Sequence, residues 1–284
     1  MSLHRFFATG PLPEHATPDA SLLLDERDVH HLVHVLRIRD KERIVLAGTD
    51  GREAEVELTY VAADLVRGNI HEPQTREAGP RVTLMQALTK RERMELVVQK
   101  TTELGVVEII PVVSARAIVK LDEGRAGRRT ERWQRIAAEA AKQSQRLAVP
   151  QVREPVPIGE LPALFERFDA VLVPWEEEAG CAPGIGEALV AAGVVAPGAD
   201  RAGDEVATGG PQAAGAVAPG GPAVAIVIGP EGGLEAAEVA LLVSHGAITV
   251  SLGGTILRTE TAGIVAVALV AYELGGLGNR GTRA

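Results

Sequence analysis

The sequence predicts an α/β protein: a larger C-terminal domain on a mostly parallel sheet with helices on both faces, preceded by a small barrel-like domain of short strands. Three observations carry this. The 284 residues are 46% hydrophobic but only 3% aromatic, so the core is aliphatic, as in sheets packed against helices. From residue 81 onward, short runs of Val, Ile, Leu and Ala alternate with helix-patterned segments, the pattern of parallel strands covered on both faces. Between the two regions, EPQTREAGP (residues 72–80) is polar and carries Pro73 and Pro80, which divides the chain into 1–72, a linker at 73–80, and 81–284.

In the first region HRFFAT and SLLLD read as strands. DERDVHHLVHVLRI sets Val29, Leu32, Val33 and Leu36 at helical spacing. RIVLAG, EAEVELTYVA and LVRGNIH complete a set of barrel strands, the first two joined by the turn Gly48–Gly51. His30 and His34 share a helical face, yet the HExxH glutamate is missing and no cysteine is nearby. They read as the polar face of an amphipathic helix, and no metal site is expected.

In the second region RVTLMQAL is a strand, KRERMELVVQKTTELG a helix ended by Gly105, VVEIIPVV a strand, and RTERWQRIAAEAAKQSQR a long helix preceded by the loop GRAGRR. The strand AVLVPW, a helix near GIGEALVAA, the strand AVAIVIG, the helix LEAAEVALLVSH, the strand AITVSL and the helix TETAGIVAVALVAYEL follow. Residues 193–222 break the alternation: 20 of the 30 are Gly, Pro or Ala, too little apolar bulk to offset chain entropy, so a flexible surface insertion is expected.

A single cysteine, Cys181, cannot form an internal disulfide, which fits a reducing cytosol. Neither a signal-peptide core nor a membrane-length apolar run is present, so a soluble cytoplasmic protein without membrane contact is expected. The net charge of −9 argues against a nucleic-acid partner, but its distribution does not. Residues 76–153 hold 16 Lys and Arg against 9 Asp and Glu, a basic block in an otherwise acidic chain. It reads either as an anion-binding face or as an arginine-rich solvated helix surface.

Two glycine-bearing loops follow the last two strands, IGPEGG at 228–233 and LGGTIL at 252–257. Neither matches a dinucleotide or triphosphate fingerprint, and Glu231 would repel a phosphate. Singly, each fits an ordinary strand-to-helix turn. Together, at adjacent strand ends, they form a slot whose backbone groups suit a flat, neutral edge such as adenine. In the following LRTETAG, Thr259 is placed to cap the last helix with Glu260 in its first turn, and Arg258 to hold an anionic group.

VIGPEGGL with LGGTILRTETA, together with QALTKRERMELVVQKTTELGVVEIIPV, RW, EAAKQSQR, LVPWE and the N-terminal RFF, resembles the RsmE family of 16S ribosomal RNA uridine-N3 methyltransferases of the SPOUT superfamily. The resemblance spans nearly the whole chain outside 193–222. It implies an N-terminal PUA-like RNA-binding barrel, a C-terminal SPOUT domain whose chain end is tucked into a trefoil knot, S-adenosyl-L-methionine as cofactor, and a homodimer acting on 16S rRNA in the small ribosomal subunit. Carried onto this sequence, the cofactor set is Leu172, Val173 and Pro174; Gly229, Pro230, Glu231, Gly232 and Gly233; and Leu252, Gly253, Ile256, Leu257, Thr259 and Ala262. Arg5, Arg116 and Arg146 match basic positions of the family, which implies RNA binding by all three, with Arg116 and Arg146 positioning the RNA or the target base. Thr255 and Ile118 depart from its pattern, standing where many relatives carry arginine and serine.

Uridine N3 must lose its proton before it can accept a methyl group, so the resemblance implies an anion-stabilising arginine, Arg258 or Arg116, and a proton acceptor, Glu260 or Glu231. The basic block supplies phosphate contacts from Arg125, Arg128, Arg129, Arg132 and Arg135. The rival reading is a non-catalytic RNA-binding ribosome-assembly protein on the same fold. A dinucleotide-dependent oxidoreductase is disfavoured by the missing fingerprint.

Overall fold

A computed structural model of the chain describes residues 3–62, 65–75, 79–117, 123–176, 182–197 and 221–277. Cys181, Ile118, the side chain of Arg125 and most of the 193–222 segment lie outside them. The chain divides into two compact units, residues 1–78 with 141–149 and residues 79–140 with 150–284.

The first unit holds β1 (His4–Phe7), β2 (Thr17–Ser21), α1 (Glu26–His30) running into a π-helical turn (His31–Val35), β3 (Arg43–Ala47), β4 (Arg52–Val61), β5 (Val66–Ile70) and β6 (Gln74–Thr75). The strand order is β1-β3-β4-β5-β2, with β6 on β4. Just past the two outer strands, the Thr9 N–H donates to the Leu23 carbonyl at 2.7 Å, so the sheet curls until its ends meet. Phe6, Leu32, Ile44, Leu46 and Leu58 are buried inside this curl, each contributing roughly 1.5–3 kcal/mol. Gly68 is required where β5 crosses β4, since a Cβ there would lie 2.5 Å from Val56 Cγ1 and 2.8 Å from the Glu57 carbonyl.

Three expectations for this unit change. The strand forms over Thr17–Ser21 rather than SLLLD, because the Leu24 N–H bonds to the Leu22 carbonyl and turns the leucine run away from the ladder. Part of the expected linker is strand, with Arg52 of β4 paired to Thr75. Arg5 turns inward, 2.7 Å from Glu53 with its side chain 7% exposed, because a cross-sheet carboxylate is there to neutralise it.

The second unit holds β7 (Arg81–Ala87), α2 (Arg91–Glu103), β8 (Glu108–Val113), α3 (Glu123–Gln143), β9 (Gln151–Val152), β10 (Val156–Pro157), a 3-10 helix (Ile158–Arg167), β11 (Ala170–Pro174), α4 (Ile185–Ala191), β12 (Ala223–Ile228), α5 (Ala236–Ser244), β13 (Ile248–Val250) and α6 (Thr259–Glu273). Its strands pair in the order β10-β8-β7-β12-β11-β13, with β9 on β8, and every pairing is parallel. All six residues of β12 are buried, as a central strand covered on both faces demands. The chain enters β12 only after β11, then places β13 outside β11, and α6 returns from that edge to pack on α2, β7 and β12.

The segment GRAGRR is helix, not loop: α3 starts at Glu123, and good helix formers around Gly124 and Gly127 outweigh the roughly 1 kcal/mol cost of each glycine. The helix stops at Gln143, so Arg146 lies beyond it, after Gln145 at φ +57°. Its last residues group with the first unit, where the Lys142 ammonium bonds the buried Asp28 carboxylate.

Candidate active site

In a parallel sheet the carboxyl strand ends are where loops leave open space. Here the segments after β11, β12 and β13 enclose a cleft of about 420 Å³. Of the residues named from the sequence, Pro174, Gly229, Pro230, Glu231, Gly233, Leu252, Gly253, Ile256, Leu257, Arg258, Thr259 and Ala262 line it. Leu172 and Val173 do not, being fully buried within β11, where their side chains pack in the sheet core. Gly232 turns outward against the Arg116 side chain.

The loop after β12 needs its glycines. A Cβ on Gly229 would press to 3.0 Å from Leu234 Cγ, and Gly233 sits at φ +71°, a conformation L side chains avoid. A buried relay holds the same loop: Gln86 Nε2 donates to Thr259 Oγ1 at 2.9 Å, and that hydroxyl donates to the Gly229 carbonyl at 2.5 Å. Thr259 is therefore not the cap of α6. Arg258 occupies the N-cap position, and its carbonyl accepts from the Ala262 N–H at 2.8 Å.

The residue missed from sequence is Arg93, in the first turn of α2. Its Nη1 lies 3.0 Å from Glu231 Oε1 and its Nε 3.6 Å from Glu260 Oε1, so one guanidinium joins both candidate proton acceptors. The second oxygens, Glu231 Oε2 and Glu260 Oε2, are buried and have no hydrogen-bond partner among the described residues. Two carboxylates against one arginine leave a single negative charge beside the cleft, and the orphaned oxygens can accept a proton or face a cation. The KRER cluster signals positive charge, but which arginine turns toward the cleft depends on how α2 docks.

Arg116 does not line the cleft. It is exposed, donates from Nη1 to the Gly232 carbonyl at 3.1 Å, lies 3.6 Å from Glu235, and so braces the loop from outside. Arg128, Arg129 and Arg132 of α3 meet Arg91 of α2 around a second cavity of about 250 Å³, with Thr89, Glu95 and Trp133. There Glu95 accepts from Arg132 Nε at 2.6 Å and Nη2 at 2.8 Å, and from Arg91 Nε at 3.0 Å. The Arg132 hydrogen bonds hold the Glu95 carboxyl below its usual value, against the opposing effect of burial. Arg135 lies outside this cavity, its Nε 3.4 Å from the Glu131 carbonyl. Arg146 is half-buried, and desolvation pulls its guanidinium down to about 10.

Comparison with known proteins gives this arrangement a class. Residues 76–195 and 202–271 match the family model described as an RNA methyltransferase domain, and residues 24–69 match an RNA methyltransferase PUA domain. The chain is 35% identical to ribosomal RNA small subunit methyltransferase E of Bacillus subtilis over 248 residues, covering 87% of this chain and 88% of that one. It is 29% identical to the protein of the same name from Mycobacterium tuberculosis over 255 residues, 88% and 86% of the two chains. Among solved structures it resembles that of a ribosomal RNA small subunit methyltransferase E from Neisseria gonorrhoeae bound to S-adenosyl methionine, with a TM-score of 0.72, 27% identity and 95% and 97% of the chains covered. The chain belongs to the ribosomal RNA small subunit methyltransferase E family.

Proposed function

We propose that this protein methylates N3 of a specific uridine in 16S rRNA of the small ribosomal subunit, using S-adenosyl-L-methionine. The observation that carries the reading is the cleft itself: two glycine loops offer backbone groups to a flat ligand edge, and the Arg93–Glu231–Glu260 cluster beside them leaves a negative charge. That charge suits a sulfonium and opposes a phosphate. When bound, S-adenosylmethionine supplies an activated methyl group. The protein's own residues do the rest. The free oxygens of Glu231 and Glu260 are the groups to take the N3 proton, and Arg93 fixes them in place. Arg258, exposed at the cleft, is the group to face the uridine carbonyls as negative charge spreads onto them. Arg116 acts through the loop it braces.

The finer architecture belongs to the same reading. The return of α6 from the sheet edge to its middle, tied by Thr259 to the Gly229 carbonyl, supports a trefoil knot at this end of the chain. The curled first sheet supports a PUA-like RNA-binding barrel. α6 is apolar all round: it buries Ala266, Val267 and Val270 and leaves Leu269 and Tyr272 39% and 43% exposed, which supports a homodimer built on this helix. No helix among the described residues is long and apolar enough to cross a membrane; the cytoplasmic location we propose rests instead on the ribosomal substrate.

The test is to incubate the protein with labelled S-adenosylmethionine and small subunits from cells lacking this activity, then map the product. The expected result is one uridine labelled at N3. RNA binding indifferent to S-adenosylmethionine, with no label transferred, would establish the non-catalytic assembly role instead.

A further inference from the structure

The arginine-lined cavity between α2 and α3 shares no lining residue with the cleft proposed above for the cofactor. We infer that it is a phosphate-binding subsite that grips the backbone of the substrate RNA next to the target nucleotide, an inference that rests on the methyltransferase reading above. Four guanidiniums, those of Arg91, Arg128, Arg129 and Arg132, surround about 250 Å³ with Glu95 as the one carboxylate among the lining residues. The guanidiniums that line the cavity outnumber its one carboxylate, and a protein that is acidic overall concentrates this charge at one spot. Such self-repulsion is relieved by a bound anion.

The geometry favours a phosphate. Glu95 binds Arg132 through both oxygens and Arg91 through one, which fixes two guanidinium planes that would otherwise swing freely. Arg129, one turn before Arg132 on α3, makes no ion pair among the described residues and leaves its fork for the ligand. Trp133, 4% exposed, gives the cavity a rigid apolar wall. The volume is below that of a typical small-molecule pocket, so it takes a phosphate with its flanking sugar rather than a whole dinucleotide. Its position points to a polymer: Arg91 faces this cavity while Arg93, two residues further along α2, faces the methyl-transfer cleft. A strand held here by its backbone presents a neighbouring base to the cleft.

The experiment compares the full-length protein with Arg129→Ala and Arg91→Ala. It measures the Kd for small subunits against salt, the Kd for S-adenosylmethionine by calorimetry, and the Kd for inorganic phosphate. Expected are a loss of roughly tenfold or more in RNA affinity, a salt slope shallower by about one per lost contact, and unchanged cofactor binding. Arg129→Lys, which keeps the charge, should retain the slope. RNA affinity and slope equal to the parent's in both alanine variants would overturn the inference. So would micromolar binding of inorganic phosphate that Arg129→Ala abolishes while RNA affinity stays intact, which would assign the cavity to a free phosphorylated ligand. The two readings fail separately: a parent protein that transfers no methyl group yet shows the slope difference loses the enzymatic reading and keeps the phosphate site.

Discussion

Arg93 Nη1 lies 3.0 Å from Glu231 Oε1, and the same guanidinium reaches to 3.6 Å from Glu260, so the first turn of α2 holds a carboxylate from the loop after β12 and another from the start of α6. Replacing Arg93 by Leu leaves two mostly buried carboxylates unpaired. The expected loss is about 1–3 kcal/mol of stability in urea unfolding, together with most of the methyl transfer. Arg93→Lys restores charge without the fork and recovers only part of both. A leucine variant as stable as the parent would show that the pair contributes nothing.

The proton acceptor is found by comparing Glu231→Gln with Glu260→Gln. The variant that removes it should lose on the order of 10²–10⁴ in kcat, beyond the rise in KM for S-adenosylmethionine that either substitution brings by removing the cluster's negative charge. The other should lose far less. Parental turnover in both would remove carboxylates from proton transfer.

Thr259→Val removes the hydroxyl that accepts from Gln86 and donates to Gly229, in a setting where Gln86 and Thr259 are both buried. Leaving those polar groups unsatisfied costs about 1–3 kcal/mol. Hydrogen exchange in residues 229–233 should quicken and cofactor affinity should fall. Unchanged exchange would mean that the loop holds its shape without the relay.

Glu95 carries a pH signature. Its carboxyl sits below the ordinary value of 4.5 because Arg132 hydrogen-bonds its charged form. A lowered folded-state value means that the stabilisation is present in full above the unfolded value and is lost as pH falls through the folded one. Glu95→Gln should therefore be less stable than the parent at neutral pH, with the gap closing below about pH 4.5 in thermal melts. A gap that persists undiminished in acid would rule out ionisation as its source.

The residues that were readable in advance are those whose role follows from local chemistry. Gly229 and Gly233 stand out because backbone freedom is needed at a strand-to-helix turn, and the alternation from residue 81 marks a parallel sheet because buried strands and amphipathic helices have different periods. Leu172 and Val173 belong to the strand that leads into the cleft, but their side chains are buried in the sheet core and do not line it, whereas Pro174 at the strand end does.

Charge shows the opposite case. Composition along the chain locates the basic block, yet it cannot say that Arg93 turns to the cleft and Arg91 to the arginine pocket, or that Arg5 is spent on Glu53. The fates of Arg93 and Arg5 depend on partners far away in the chain, 138 positions for Arg93 and Glu231. A long flexible side chain takes its direction from the nearest uncompensated opposite charge in space. Strand alternation and glycine loops are properties of neighbouring residues; the grouping of Glu231 and Glu260 on Arg93 beside the cleft exists only once α6 has folded back across the sheet.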